Sequence, residues 1–328
     1  MSKNKTPIQN ENKIKLQQYL FKHKTATKTQ LAEAIDVSTV TVNTLVKELV
    51  SEKCFIEGEH VQQKMGRPAA LFHFNYDQHH SLDILMLEEN KKLQIVANIT
   101  NLAGLTIEHR RFAFSPITID GLRNIVAEML SHSNIITSIN LSFPGKIVDD
   151  IVVSSWGDEF NGWSFKQAFS IITDLPIHIE NDANLATIGY CLKQQLPLKD
   201  VVVGVYYPEQ SRPGICVFSR KTLLLSQNGL AGEGKYLPHI INEPFHQEID
   251  AEIKQLLEII CIYNVVVAPQ HFVIYKPALA ENTFNKLISQ HDMLKKQPNK
   301  PKFHLADDFV AHTFIGLQWL ATKDTIYA

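Results

Sequence analysis

Hydrophobic residues recur at helical spacing three times within the first fifty residues. The first run is Ile14–Phe21, and a shorter one surrounds Leu31. The third run places its apolar side chains three or four positions apart, at Val42, Leu45, Val46 and Leu49. This spacing puts them on one face of a helix, where they would contact a core. The turn 36–38 precedes this helix, and Ser38 is a good helix cap because its hydroxyl can accept from a free backbone N–H.

Two strand-like runs follow the third helix. They are Cys54–Glu59 and Ala70–Asn75, and a polar loop that carries Lys64-Met65-Gly66-Arg67-Pro68 joins them. Three short helices followed by such a hairpin are the pattern of a winged helix-turn-helix. We therefore predict a DNA-binding domain over residues 1–76.

The outward face of the third helix carries the side chains that a major groove requires. Small hydrogen-bonding residues near the start of the helix would lie at base edges, and the one cation further along would hold phosphate. Arg67, at the tip of the predicted wing, would enter the minor groove. The predicted DNA contacts are Ser38, Thr39, Thr41, Asn43, Lys47 and Arg67. A small helical bundle that serves protein contacts is the alternative.

The distribution of charge favours nucleic acid over that alternative. Residues 1–75 contain 11 Lys and Arg against 7 Asp and Glu, a net charge of +4. The remaining residues contain 21 against 27, a net charge of −6. Phosphate binding needs only a local basic surface, so the near-neutral total does not argue against DNA.

Strand-like and helix-like runs alternate after residue 76, which predicts an α/β fold with helices covering its sheets. We predict a first lobe over residues 77–195, joined by a closing helix within 306–328, and a second lobe over residues 196–305. The predicted strands are Ser81–Leu87, Leu93–Ile99, Thr106–Phe114, Ile135–Phe143, Ile177–Glu180, Val201–Tyr207, Ile215–Ser219, Lys221–Leu225 and Phe272–Tyr275. The predicted helices are Ile119–Ser131, Phe165–Thr173, Ala183–Lys193, His246–Tyr263 and Ala306–Ala321, and Lys295–Lys302 is predicted to be a basic loop.

Composition excludes several classes of protein. No apolar run reaches the roughly 18 residues that a membrane helix needs, and the polar N-terminus contains no secretory apolar segment. The four cysteines stand apart, without a CxxC pair. This usage is typical of a reducing cytoplasm and argues against a cysteine-rich zinc cluster, so we expect a cytoplasmic protein without a membrane partner.

Four short motifs in the large domain resemble those of the ROK family of repressors and sugar kinases. Residues 141–149, with Pro144-Gly145, resemble its "PG-x-VD" turn with one extra residue, and residues 181–184 match its "NDAN" motif. Residues 228–233 resemble its "G-x-AGE" motif, and Gly316 lies where the family has a Gly-Ala pair. The winged N-terminus and the turn at 66–68 resemble the repressor branch. The resemblance implies a two-lobed actin/hexokinase-like domain behind the winged helix-turn-helix.

The resemblance also implies a sugar-binding cleft. Asn181 would hydrogen-bond sugar hydroxyls, Asp182 stands where family kinases have their base, and Glu233 would accept from a further hydroxyl. Tyr236 stands where the family has a histidine that binds zinc, and it is a candidate effector contact. The bland interpretation is that Asn181 or Asp182 merely caps a helix and that Glu233 is a surface carboxylate.

Departures from the family pattern argue against kinase activity. The stretch Asp83–Asn90 stands where the first phosphate loop would be, but it has no glycine, and Glu88 and Glu89 lie where phosphate would bind. Residues 206–210 stand where the second loop would be, and they also lack glycine. Backbone N–H groups cannot close on a phosphate when side chains block the approach. Only Cys261 lies downstream of Tyr236, so the family's zinc site is absent, and we expect neither metal nor cofactor.

Together these patterns predict a DNA-binding transcriptional regulator, a repressor of carbohydrate-utilisation genes, that is not an enzyme. Its partners would be double-stranded operator DNA, a sugar or sugar-phosphate effector, and other copies of the chain in a homodimer or tetramer. Two alternatives stay open. One is an ATP-dependent sugar kinase with an appended regulatory domain, and the other is an effector-blind regulator.

Overall fold

The structure, a computed structural model, describes residues 7–62, 68–89, 92–155, 158–197, 199–208, 212–225, 231–238, 240 and 248–328. Within these residues the helices are α1 Pro7–His23, α2 Lys28–Ile35, α3 Thr39–Ser51, α4 Ile119–Leu130, α5 Phe165–Phe169, α6 Asp182–Lys193, α7 Ile249–Val266, α8 Glu281–Gln290, α9 Asp292–Lys296 and α10 Phe309–Thr322. None of them is both long and apolar enough to cross a lipid bilayer.

Fifteen strands are found in the same residues. They are β1 Thr25–Thr27, β2 Phe55–Val61, β3 Ala69–Phe74, β4 His80–Glu89, β5 Lys92–Asn101, β6 Thr106–Ala113, β7 Ile136–Phe143, β8 Gly145–Val148, β9 Ile151–Ser155, β10 Ile177–Asn181, β11 Val202–Tyr206, β12 Gly214–Ser219, β13 Thr222–Leu223, β14 His271–Tyr275 and β15 Lys302–Leu305.

The N-terminal unit combines α1–α3 with a three-stranded antiparallel sheet in the order β1-β3-β2. Thr27 begins α2 with a reciprocal capping box to Gln30, and Asp36 ends it in the left-handed conformation at φ 53°. The predicted cap at Ser38 is confirmed, because its hydroxyl accepts from the Thr41 N–H at 3.2 Å. The four apolar residues predicted to face the core from α3 are all buried. The expected three helices and hairpin are therefore present.

The first large sheet has the strand order β10-β7-β4-β5-β6. The strands β10, β7 and β4 run parallel, whereas β4, β5 and β6 form antiparallel hairpins. One face carries an apolar core to which α4 and α5 contribute Leu122, Val126, Phe165 and Phe169. Helix α10 packs against β4 and β7. A short hairpin of β8 and β9, which the sequence pattern did not predict, follows β7.

The second large sheet has the order β13-β12-β11-β14-β15. The parallel strands β11, β14 and β15 pack against α7 through Val203, Ile259 and Phe272. Helices α8 and α9 and strand β15 were not predicted, and the expected basic loop 295–302 begins inside α9. The predicted helix Phe165–Thr173 is shorter than expected, because α5 ends at Phe169 and Ser170 caps it.

Helices α6 and α10 form a closely packed pair. Helix α6 contacts β10 and β7 of the first sheet as well as β11 and β12 of the second. Gly189 of α6 lies so close to α10 that a Cβ atom there would overlap the His312 carbonyl, and a Cβ at Gly316 would overlap the carbonyl of Leu185. Gly316, singled out by its motif, thus allows two helix backbones to touch.

Candidate functional site

The first turn of α3 presents a polar surface at the edge of the N-terminal unit. Ser38, Thr39 and Lys47 are exposed, and Thr41 and Asn43 are partly buried. The Ser38 and Thr41 hydroxyls lie 2.9 Å apart and share a hydrogen bond. The structure therefore brings all five predicted contact residues of α3 to one helix, with the short side chains at its start and the cation further along.

Two neighbours of these residues escaped the sequence argument. Val40 projects from the first turn of α3 with 76% of its surface exposed, although it is large and apolar. Lys28, at the start of α2, donates from Nζ to the Asn43 side-chain oxygen at 2.7 Å, so a second cation stands beside this face. The position of Val40 between Thr39 and Thr41 is the signal that could have identified it. No local sequence pattern indicates the contact of Lys28 with Asn43.

Arg67 lies outside the described residues, as does the rest of 63–67. The strands on either side are described, and β2 and β3 pair from Phe55↔Phe74 to Val61↔Ala69. Residues 63–67 therefore link two antiparallel strands, whose register shifts between Glu57 and His60.

A second polar site lies where parallel strands of the first sheet end. Asn181 is the last residue of β10 and the cap of α6, and its side-chain oxygen accepts from the N–H groups of Ala183 and Asn184. Its amide Nδ2 donates to the Gly145 carbonyl at 3.3 Å, just beyond β7. The carboxyl ends of parallel strands are a usual place for ligands. The capping role weighed from the sequence is thus real for Asn181, and it leaves the residue in the cleft.

Asp182 follows directly in the first turn of α6, and its Oδ1 accepts from the Ala183 N–H at 2.8 Å. Burial raises the pKa of Asp182 to about 7. The nearby Glu233 carboxylate adds to the rise in this pKa, whereas the Ala183 N–H and the Lys146 ammonium oppose it. A carboxyl group with this pKa can accept or donate a proton near neutral pH.

Glu233 reaches the same site from the second part of the chain. Its backbone forms an isolated bridge to Gly214 at the start of β12. Its carboxylate lies 3.5 Å from the Nζ of Lys146, which belongs to β8. Only 9% of Lys146 is exposed. The structure thus brings Asp182, Glu233 and Lys146 to one site, and Lys146 belongs to the turn that resembles "PG-x-VD".

The described walls of this cleft include a cavity of about 160 Å³. Gly145, Lys146, Glu180, Asn181 and Leu225 contribute to its lining. Glu180 is engaged by the protein itself, since its Oε1 accepts from the Asn184 amide and from the Asn181 N–H, both at 2.8 Å.

Tyr236 stands at the end of a single turn of 3-10 helix, Gly234–Tyr236. Its N–H donates to the Glu233 carbonyl at 3.1 Å, so the two residues share one turn. The side chain is 57% exposed. The structure therefore places Tyr236 beside Glu233 along the chain, at an exposed position.

The stretch expected to replace the first phosphate loop is a regular hairpin. Strands β4 and β5 pair as far as Glu89↔Lys92, so only two residues connect them. Asp83, at the start of this stretch, lies mid-strand with 1% exposure and accepts from the Asn140 amide at 2.7 Å. Burial raises the pKa of Asp83 to about 6, and its hydrogen bonds with Asn140, Thr100 and Ser81 limit the rise. Asp83 is therefore part of the interior.

A larger cavity of about 570 Å³ lies where β11, β14 and β15 end. Its lining combines aromatic rings and carboxylates with one lysine, namely Tyr206, Tyr275, Phe309, Glu88, Glu281, Asp307, Asp308 and Lys276. The Nζ of Lys276 donates to the Glu252 carboxylate at 2.6 Å. The rings of Tyr206 and Phe309 stack with centroids 4.0 Å apart. Gly204, the glycine nearest the expected second phosphate loop, packs against Thr187 of α6, where a Cβ would collide.

In the part of the chain that the structure describes, no three His, Cys, Asp or Glu side chains lie close enough together to hold a metal ion.

Solved structures with the same fold are ROK family proteins. A ROK family transcriptional regulator, a homologue of the E. coli MLC protein, superposes with a TM-score of 0.65 at 14% identity, over 95% of this chain and 96% of that one. A putative N-acetylmannosamine kinase from Listeria monocytogenes gives 0.59 at 15% identity, over 75% and 99%. A ROK family glucokinase from Streptomyces griseus in complex with glucose and AMPPNP gives 0.56 at 12% identity, over 73% and 98%.

These likenesses concern the fold. Regulators and sugar kinases both occur among the neighbours. No sequence profile of a protein family and no curated protein matches the chain.

Proposed function

We propose that the protein is a DNA-binding transcriptional regulator whose α/β part binds a sugar or sugar phosphate and has no kinase activity. The observation that carries the proposal is the exposed first turn of α3, polar apart from Val40, on a basic N-terminal unit. In this proposal residues 1–76 are a winged helix-turn-helix domain. Residues 77–195 with 306–328 are the first lobe, and residues 196–305 are the second.

The DNA contacts follow from the geometry of α3. Ser38, Thr39, Thr41 and Asn43 would meet base edges in the major groove, with Lys47 on phosphate. Lys28 would add a second cation, since its Nζ already lies 2.7 Å from Asn43. Arg67 would reach the minor groove from the loop between β2 and β3. Two copies of the chain would read the two halves of an operator, as a homodimer or within a tetramer.

The effector would bind at the ends of β7 and β10. Asn181, Asp182 and Glu233 converge there, and their carboxylates and amide suit sugar hydroxyls because those groups both donate and accept. Tyr236 would contact the effector from the rim. Among the structural neighbours the S. griseus glucokinase is a complex with glucose, and a ROK protein from Streptococcus pneumoniae TIGR4 is a complex with sucrose. These complexes support a carbohydrate ligand.

Two features oppose nucleotide binding and so support a regulator over a kinase. The β4–β5 hairpin pairs through to Glu89↔Lys92, and residues 83–90 contain no glycine that would let backbone N–H groups close on a phosphate. The carboxylates of Asp307 and Asp308 line the cavity at the ends of β11 and β14, where they would repel a triphosphate.

The test is fluorescence anisotropy with DNA from upstream of the protein's own gene, titrated at two salt concentrations. We expect tight, salt-dependent binding that one of two pools, hexoses or hexose 6-phosphates, reverses. Arg67→Ala should weaken binding by about 1–3 kcal/mol. Asp182→Asn should blunt release while DNA affinity is unchanged. Absence of sequence-preferring binding, there and on a randomised library, would contradict the proposal.

An effector-blind regulator is the second candidate, and one contact favours it. Lys146 already occupies the Glu233 carboxylate, with Nζ at 3.5 Å, where a sugar hydroxyl would bind. In that case the protein would bind DNA tightly, and neither sugar pool would change the affinity.

A further inference from the structure

The segment that follows α10 returns to the N-terminal unit. The ring of Tyr327 lies 4.9 Å from that of Phe21 in α1 and 5.4 Å from that of Phe74 in β3, measured between centroids. The Gln18 amide donates to the Ile326 carbonyl at 2.9 Å. Phe74 is buried in the core of the unit, and Tyr327 packs against that core. The last described residues are therefore part of the N-terminal unit's packing.

Helix α10 is held to α6 at several points along its length. Gly189 and Gly316 bring the two backbones into contact, so neither helix can slide without a clash. The Tyr275 hydroxyl donates to the Ala186 carbonyl of α6 at 3.0 Å and lies 3.0 Å from Nδ1 of His312 in α10. A displacement of α6 must therefore carry α10 with it.

Helix α6 begins at the candidate effector site. Asn181 caps it, and Asp182 is its first residue. A ligand that hydrogen-bonds with either side chain therefore contacts the N-terminal end of this helix directly. The chain of contacts thus runs from the cleft through α6 and α10 to Tyr327.

A second contact from α10 reaches the junction between the two parts of the chain. Gln318 donates from Nε2 to the Leu102 carbonyl at 3.3 Å, and the Leu102 N–H donates to the Tyr76 carbonyl at 3.1 Å. The Tyr76 hydroxyl in turn bonds the Phe21 carbonyl at 2.5 Å. The route through Tyr327 and the route through Leu102 and Tyr76 both end at Phe21. Two separate sets of contacts therefore connect α10 to α1.

We propose that Tyr327 is a positioning residue that transmits the state of the cleft to the DNA-binding unit, through the rigid α6–α10 pair and the ring contacts with Phe21 and Phe74. This inference rests on the proposed function and adds how the effector acts. Effector binding would favour one position of α6, and Tyr327 would set the orientation of α1–α3 accordingly. An effector shifts such an equilibrium only as far as it binds one state better than the other.

The test uses the full chain with Tyr327→Ala, Tyr327→Phe and, as a matched control, Val266→Ala, which removes an exposed apolar side chain from α7. In the anisotropy assay we expect Tyr327→Ala to bind DNA within about threefold of wild type, yet to need at least about tenfold more of the active sugar pool for release, a coupling loss within the usual range. Tyr327→Phe and Val266→Ala should respond as wild type. Unchanged release of Tyr327→Ala would overturn the inference.

Hydrogen exchange separates this inference from the proposed function. Without DNA, the active sugar pool should change the exchange of α1 and β3 amides around Phe21 and Phe74 in the wild type, and Tyr327→Ala should abolish that change. A pool that releases DNA but leaves this exchange unaltered would overturn the coupling. A wild-type chain that shows the change in exchange but does not bind DNA would instead contradict the proposed function. If circular dichroism shows that Tyr327→Ala unfolds the N-terminal unit, Tyr327→Leu, which keeps an apolar side chain, takes its place.

Discussion

Lys146 and Glu233 face each other across the cleft, with Nζ and the carboxylate 3.5 Å apart. Lys146 belongs to β8, which follows the first sheet, whereas Glu233 is bridged to β12 of the second. The pair therefore joins the β8–β9 hairpin to the second large sheet at the candidate effector site. Both side chains are largely withdrawn from water, so each charge depends on its neighbours for compensation.

Removing one partner of this pair should destabilise the fold. Lys146→Met would leave the Glu233 carboxylate without its cation, and we expect a loss of about 1–3 kcal/mol in the free energy of unfolding, less than for a fully buried pair. The double variant Lys146→Met with Glu233→Gln should recover part of the loss, because no charge is left behind. Urea unfolding of the wild type, Lys146→Met, Glu233→Gln and the double variant measures the coupling between the two residues. Additive losses would show that the two residues do not interact.

The raised pKa of Asp182 predicts that stability falls as pH rises. The folded protein binds this proton up to about pH 7, whereas the unfolded chain releases it near the ordinary value of about 3.8. Between these values the folded state holds more protons, so raising the pH favours unfolding. Asp83 acts in the same direction with a pKa of about 6.

Asp182→Asn should therefore raise the melting temperature more at pH 8 than at pH 5. Thermal unfolding at both pH values measures the difference, and Asp120→Asn, at an exposed position of α4, is the control. An equal effect of Asp182→Asn at both pH values would contradict the raised pKa.

The elements that the sequence predicted well are those with strong local periodicity. Helices α1–α3 and the β2–β3 hairpin agree with the expected order, because their apolar residues repeat within a few positions and Ser38 marks a helix start. Helix α8 was missed because it is mostly polar and buries only Phe284. The β8–β9 hairpin was missed because its strands are short and follow β7 after one residue.

The sequence analysis predicted only those residues of the candidate cleft that lie in or next to the family motifs. Asn181, Asp182 and Glu233 lie together because the fold brings the end of β10 to the turn beside β12. Lys146 could not be foreseen, since its partner is distant in the chain and ion pairing leaves no local pattern. The contact of Tyr327 with Phe21 was missed for the same reason, because it joins opposite ends of the sequence.

Val40 should contribute to operator choice. It projects from the first turn of α3 with 76% exposure, among Thr39, Thr41 and the exposed Thr44. An apolar side chain in this position suits the C5-methyl group of thymine. Burial of one methyl is worth about 0.8 kcal/mol, so replacing a contacted thymine by uracil should weaken wild-type binding about fourfold.

The matching variant makes this prediction specific. Val40→Ala should bind the thymine and uracil forms of a selected operator with nearly equal affinity, whereas Ile56→Ala, at an exposed position of β2, should discriminate as wild type does. Single thymine-to-uracil substitutions through each half-site, measured by anisotropy, locate the base. Wild-type indifference to every substitution would show that Val40 does not read thymine.

ATP should neither stabilise nor be turned over by this protein. A bound nucleotide raises the free energy of unfolding by RT ln(1 + [L]/Kd). The melting temperature of a kinase therefore rises measurably at saturating ATP and magnesium. Here Asp307 and Asp308 line the cavity at the strand ends, and the stacked rings of Tyr206 and Phe309 form one of its walls. The stretch 83–90 contains no glycine that would let the backbone close on a phosphate. We therefore expect no thermal shift with ATP and magnesium, and no ADP release with a hexose panel in a coupled assay.

The double variant Asp307→Asn with Asp308→Asn is the matched control. It removes the repulsion of phosphate by the two carboxylates without adding a phosphate loop, and it too should show no turnover. Turnover by the wild type would make the protein a sugar kinase and would reverse the assignment of the cleft.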